Sequence, residues 1–157
     1  MASLKEAVVT FFYIGRLPFG GTFASFAAML IFFLLNYLFG YKYTLYASVI
    51  LALFFSFLCI LLGKWSESYY NEKDSKKVVI DELAGYFVSV ILIFNYKSYI
   101  TTGLAAFAIF RLFDISKIFP IKKLESFKSG YGILFDDIMA SIYTSIVLYI
   151  MIYIGIL

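Results

Sequence analysis

Five long apolar stretches, at 22–39, 44–63, 81–96, 98–116 and 134–157, leave this chain few folds to choose from. About twenty helical residues rise about 30 Å, which matches the hydrocarbon core of a bilayer. In lipid, a helix satisfies every backbone N–H and C=O within its own segment. Hydrophobic residues make up 63% of the chain and charged residues only 15%. A soluble domain is roughly half apolar and about a quarter charged. The pattern therefore predicts an all-α, polytopic transmembrane helical bundle of about five spans, forming a single domain over 1–157. The third stretch is the shortest. Nineteen Phe and fourteen Tyr supply lipid-facing bulk and interfacial anchors.

The charges fall on one side of that bundle. Lys5, Arg16, Lys64, Lys73, Lys76, Lys77, Arg111, Lys117, Lys122, Lys123 and Lys128 lie before the first span or in every second connection, helix ends included. Only Lys42 and Lys97 lie in the alternate connections. Eleven against two places the charged face in the cytoplasm and the C-terminus across the membrane. All ten acids share the charged face. Glu6, Glu67, Glu72 and Glu125 are expected to be solvated loop charges. Residues 4–14 predict an interfacial helix, and residues 1–20 lack the pattern of a cleavable signal. A net charge of +3 is too small and too scattered along the chain to argue for nucleic acid, and none is expected as a partner. There is no His to serve as base or ligand, and the single Cys, Cys59, is expected to be packing.

Four motifs on the charged face can carry chemistry. Gly20-Gly21-Thr22-Phe23-Ala24-Ser25 opens the first span. Its glycines permit close backbone approach, Thr22 offers a cap, and free N–H groups at a helix start favour a phosphate. Thr22 and Ser25, three apart, share a helix face. Asp74 precedes Asp81-Glu82, two acids abutting the third span, with Gly85 one turn on. Arg111, Asp114 and Lys117 follow at spacings of three, which places them roughly on one face at the end of span four. Arg111 lies inside an apolar run, where a charge is costly and normally paired. Gly130 and Gly132 precede Asp136-Asp137, followed by twenty residues without a charge. Hard oxygen ligands suit Mg²⁺, with waters completing its octahedron. Carboxylates, two cations and a Gly-Thr helix start on one face read as metal-assisted phosphoryl chemistry.

The same segments resemble the phosphatidylglycerophosphatase A family. They are GGTFAS at 20–25, DSKKVVIDELAGY at 74–86, FRLFDISKIFPI at 110–121 and GYGILFDDIMAS at 130–141. The resemblance covers nearly the whole chain. Gly20 stands where the family usually has Pro, Ala24 where it has Gly, Ile80 where it has Trp, and Ile118 where it has Pro. None of these departures removes a carboxylate, Arg111, Lys117 or Thr22. The resemblance implies hydrolysis of the phospholipid phosphatidylglycerophosphate to phosphatidylglycerol and phosphate, with Mg²⁺, in the bacterial cytoplasmic (inner) membrane.

The expected site follows. Asp81, Asp136 and Asp137 are the core Mg²⁺ ligands, Glu82 or Asp114 completes the shell, and Asp74 supports them. Arg111 and Lys117 bind the phosphomonoester, and Thr22 and Ser25 orient it. Attack by water and attack by an Asp nucleophile both fit. A non-catalytic lipid-binding adaptor would show no phosphate release. A phosphatase for phosphatidate would keep the chemistry and change the headgroup. A transporter would favour a midplane site over one at a membrane face.

Overall fold

The computed structural model describes residues 3–73, 75–91, 93, 98–119, 121 and 130–157. The described elements are helices, with no strand among them: α1 Leu4–Val9, a 3₁₀ turn Ile14–Arg16, α2 Gly20–Tyr70, α3 Ile80–Ile91, α4 Tyr99–Ser116 and α5 Gly130–Tyr153. Asp74, the turn at 95–97, Pro120 and the 122–129 segment with Lys122, Lys123, Glu125 and Lys128 lie outside the described residues.

Helix α2 merges the first two sequence-predicted spans. Its 51 residues would extend about 75 Å if straight, far more than a bilayer core. Gly40 breaks it, with φ 73° and ψ 174°, a conformation essentially reserved for Gly. The two legs then run antiparallel along α3. On the first leg, a Cβ on Gly21 would meet Glu82 and Phe32 sits edge-on to Tyr86, and just past the break the Tyr41 hydroxyl donates to Ile93 O at 3.4 Å. On the second leg, Phe55 stacks against Phe87, and Tyr69 and Tyr70 return to α1 at the starting end.

The inward face of the second leg reads Thr44, Ser48, Ala52, Phe55, Cys59, Gly63 and Ser66, spaced by three or four. Its outward face carries Tyr46, Ile50, Leu53, Phe54, Phe57 and Leu61, all exposed. Small and polar residues inside with bulky apolar ones outside is the arrangement of a helix bundle in lipid. Among the described residues, three helices are long and apolar enough to cross a membrane: α2, α4 and most of α5. The described part of the third predicted span, α3, has 12 residues and rises about 18 Å.

α3 is the centre of the bundle. Nine of its twelve residues are buried, including Asp81, Gly85, Tyr86 and Ser89. Polar contacts fasten it to its neighbours. Ser141 Oγ on α5 lies 2.7 Å from Gly85 O, and Ser145 Oγ lies 3.1 Å from Ser89 O. Tyr86 donates to Gly103 O on α4 at 3.2 Å. A Cβ on Gly85 would approach the Phe110 ring to 2.6 Å, so Gly is required for α3 and α4 to pack this closely.

The N-terminal segment differs from its sequence reading. α1 stops at Val9, and Phe11, Phe12 and Tyr13 all have positive φ, so no helix continues to residue 14. Thr10 holds this turn: its Oγ1 donates to Glu6 O at 2.7 Å and accepts from Tyr13 N–H at 3.0 Å. Glu6 is not a solvated loop charge. It is buried, 2.5 Å from Arg16 Nη2, and accepts from the Tyr69 and Tyr70 hydroxyls. The physical reason is pairing: a carboxylate with three such partners can leave bulk water. The Arg16 guanidinium holds the Glu6 carboxyl below the ordinary carboxylate value, against the opposing effect of burial.

Candidate active site

Gly15 to Thr22, the Ser75–Val78 stretch, the start of α3, the end of α4 and the second turn of α5 surround one cavity of about 1040 Å³. Asp81, Glu82, Asp114, Asp136, Asp137, Arg111, Lys117 and Thr22 all line it. Residues more than a hundred positions apart are thus brought together at one end of the bundle.

The carboxylates are held by helix geometry. Asp81 and Glu82 occupy the first turn of α3, and Asp137 lies two turns into α5. α5 begins at Gly130, four residues before the predicted span, so Asp136 and Asp137 sit within the helix rather than at its mouth. One carboxylate oxygen from each of Asp81, Glu82 and Asp137 lies within 4.8 Å of the others. Asp81 Oδ1, Glu82 Oε2 and Asp137 Oδ2 are buried with no hydrogen-bond partner among the described residues. Buried carboxylate oxygens normally have partners. Five carboxylates and five cations line the cavity, and the cations ion-paired with the carboxylates are Arg111 and Lys117. Three clustered carboxylates, an all-oxygen donor set, fit a hard divalent cation. Asp81, Glu82 and Asp137 could hold it.

Arg111 and Lys117 reach the site by different routes. Arg111 Nη1 is hydrogen-bonded to Asp114 Oδ2 one turn along α4 and lies 3.9 Å from Glu82 Oε1 on α3. Lys117 is not on the α4 face shared by Arg111 and Asp114. It caps the helix in a left-handed conformation, φ 43°, and its Nζ crosses to Asp136 Oδ2 on α5 at 2.9 Å. Both cations are therefore steered by acids that also line the cavity.

The helix start lies three residues earlier than its sequence reading, with the cap at Phe19 rather than Thr22. Phe19, at φ 61°, precedes the helix, and Thr22 sits in the first turn instead of capping it. The first-turn amides of Gly21 and Thr22 have no acceptor within the helix, and both residues line the cavity. A methyl group on Gly21 would land on the Glu82 carboxylate and come within 3.3 Å of Arg111 Nη1. Ser25 lies deeper, fully buried, with its hydroxyl donating to Gly21 O at 2.9 Å. It is not among the cavity-lining residues. The sequence reading missed Arg16, Ser75, Lys76 and Lys77 as part of the wall. The signal available was their position, each basic residue lying just ahead of a motif already singled out.

Helices of membrane length with a cavity of acids and bases at one end place the chain in the class of helical membrane proteins with a polar site at the end of the bundle. The chain belongs to the phosphatidylglycerophosphatase A family, whose sequence model matches residues 7–152. It is 36% identical to a phosphatidylglycerophosphatase A of Haemophilus influenzae over 138 residues, 84% of this chain and 78% of that protein. It is 32% identical over 146 residues to a Bacteroides thetaiotaomicron protein named as a candidate phosphatidylinositol-3-phosphatase, covering 92% of this chain and 91% of that one. No solved structure matches it.

Proposed function

We propose that the chain hydrolyses phosphatidylglycerophosphate to phosphatidylglycerol and phosphate, using Mg²⁺, at the cytoplasmic face of a bacterial inner membrane. The observation that carries this reading is the meeting of Asp81, Glu82 and Asp137 with Arg111 and Lys117 in one cavity. Family membership supports the headgroup. Five crossings are part of the proposal: the two legs of α2, the segment begun by α3, then α4 and α5. The eleven-to-two asymmetry of Lys and Arg supports the orientation.

The phosphate arrives as an anion in an acid-lined site, which raises its electrostatic cost. Mg²⁺ bound by Asp81, Glu82 and Asp137 would offset that charge and make a coordinated water more acidic. Arg111 and Lys117 bind the non-bridging oxygens, Arg111 with a planar fork and Lys117 as a point charge. Asp114 and Asp136 keep those two cations aimed into the cavity. The amides of Gly21 and Thr22 and the Thr22 hydroxyl orient the same phosphate. In hydrolysis, water adds to phosphorus and the P–O bond to the lipid glycerol breaks. A carboxylate of the cluster accepts the proton of the attacking water and returns it to the departing glycerol oxygen, which leaves as the free hydroxyl of phosphatidylglycerol.

The relative named for phosphatidylinositol 3-phosphate makes the headgroup the point to test. Purified protein in detergent micelles is assayed for phosphate release from phosphatidylglycerophosphate, phosphatidylinositol 3-phosphate and phosphatidate, with Mg²⁺ and with EDTA. Fastest release from phosphatidylglycerophosphate, abolished by EDTA and restored by Mg²⁺, is expected. Faster release from phosphatidylinositol 3-phosphate would replace the substrate, and full activity in EDTA would remove the metal.

A further inference from the structure

Three cations of the cavity take no part in the carboxylate cluster. Arg16, Lys76 and Lys77 line it, yet the ion pairs of the cluster run to Arg111 and Lys117 among the described residues. The two segments bearing these three cations are packed together. Gly15 lies so close to the Lys77 carbonyl that no Cβ fits there, and Val79 N–H donates to Val9 O at 2.9 Å. Arg16 is braced from behind. Its Nη2 is 2.5 Å from Glu6, which is not a lining residue, and its guanidinium lies 5.0 Å from the centre of the Tyr13 ring. Lys77 Nζ sits 5.1 Å above the Tyr70 ring, and the Tyr70 hydroxyl also reaches Glu6. Glu6, Tyr13 and Tyr70 thus brace Arg16 and Lys77 in a cationic rim that leaves most of the Arg16 guanidinium N–H groups for another partner.

We propose that this rim is a second anion subsite, which binds the phosphodiester of the lipid while the phosphomonoester lies at Arg111 and Lys117. The inference rests on the activity proposed above. The substrate of that reaction carries two phosphates separated by a glycerol, and a single cation pair cannot hold both. The diester keeps its negative charge throughout the reaction and stays with the lipid. A rim of cations free of the carboxylate cluster suits it. Leu17 and Phe19, exposed apolar residues of the same wall, flank the rim where the diacylglycerol part would continue into the membrane. The subsite therefore selects lipids with a phosphodiester and a phosphomonoester over phosphatidate, which lacks the diester.

The test compares kcat/KM for phosphatidylglycerophosphate with kcat/KM for phosphatidate in wild type, R16Q, R16K and the double variant K76Q/K77Q. Loss of a charge-assisted hydrogen bond is expected to lower the ratio about tenfold or more in R16Q. The double variant lowers it in the same direction, and R16K retains most of it. R16Q leaves Glu6 without its cation, and misfolding of that variant is checked by gel filtration. Lys76 and Lys77 are exposed, so the double variant carries the test independently. A ratio within about twofold of wild type in the folded variants overturns the subsite. Absence of phosphate release from phosphatidylglycerophosphate by the wild type overturns the activity itself and the subsite with it.

Discussion

Carboxylates in this chain differ by what surrounds them, and only some of that is visible from the residue itself. Asp81, Glu82 and Asp137 could be singled out because each abuts an apolar run, where an unpaired charge is expensive. Glu6 could not, since Tyr69 and Tyr70 lie 63 and 64 residues further along the chain. Ser25 shares a helix face with Thr22 by spacing, but burial turns its hydroxyl back onto Gly21 O. Asp81→Asn and Asp137→Asn each remove an acid whose orphan oxygen faces the others. A bound divalent ion supplies several kcal/mol of transition-state stabilisation, so each variant should lose at least about a hundredfold in kcat/KM. Mn²⁺ binding, followed by electron paramagnetic resonance on the same proteins, should weaken in parallel. Normal Mn²⁺ binding in both variants would move the metal elsewhere. Gly21→Ala tests the helix start without removing a charge. Its methyl group displaces the Glu82 carboxylate, so activity should fall while the protein still elutes as a folded species.

Elements were legible in kind, and their ends were not. The apolar runs gave helices at 22–39 and 44–63, but the described α2 continues to Tyr70, well beyond the last apolar run. Propensity and the polar stripe ending at Ser66 carry it onward, because residues past Gly63 still pack inward. The reversal inside α2 depends on the backbone of Gly40 alone. A Cβ there would meet nothing within 4 Å, so Gly40→Ala isolates the conformational effect. It should destabilise the hairpin by about 1–3 kcal/mol, read as a lower thermal midpoint in detergent; an unchanged midpoint would show that the turn relaxes freely.

The docking of α1 has its own signature in acid. The Glu6 carboxyl is held below the ordinary carboxylate value in the folded chain, chiefly through its hydrogen bond to Arg16. A depressed carboxylate stabilises the docked state fully above its unfolded pKa, and this contribution is lost as pH falls through the folded value. Lys5 Nζ lies 5.9 Å from the centre of the ring of Trp65, the only Trp in the chain. Trp emission should therefore change in acid, once pH falls below the ordinary carboxylate range, as α1 undocks, and Glu6→Gln should remove that transition. Persistence of the same transition in Glu6→Gln would assign it to another group.

At the scale of the molecule, charge and chemistry point to the same end. The acids that line the cavity enter from α3, α4 and α5, and the cations of its rim come from the segments before α2 and α3. This convergence was legible because alternating connections fix which helix ends share a side, whatever the details of each helix. The cavity wall at Arg16, Ser75, Lys76 and Lys77 was not, since no periodicity governs a loop. The number of crossings decides whether the C-terminus joins that end. With α2 folded at Gly40, its two legs begin and finish on the side of the cavity. α4 ends there at Lys117 and α5 starts there, so α4 must begin on the far side and α5 must finish on it. In the five-crossing proposal the chain crosses between Ile80 and Tyr99, although α3 itself rises only about 18 Å. Tyr41 meeting Ile93 near the Gly40 reversal supports that passage. A fluorescent protein fused before Met1 should be bright in cells, and one fused after Leu157 should be dark, with alkaline phosphatase active in its place. Bright fluorescence from both fusions would mean an even number of crossings and would overturn the five-crossing proposal.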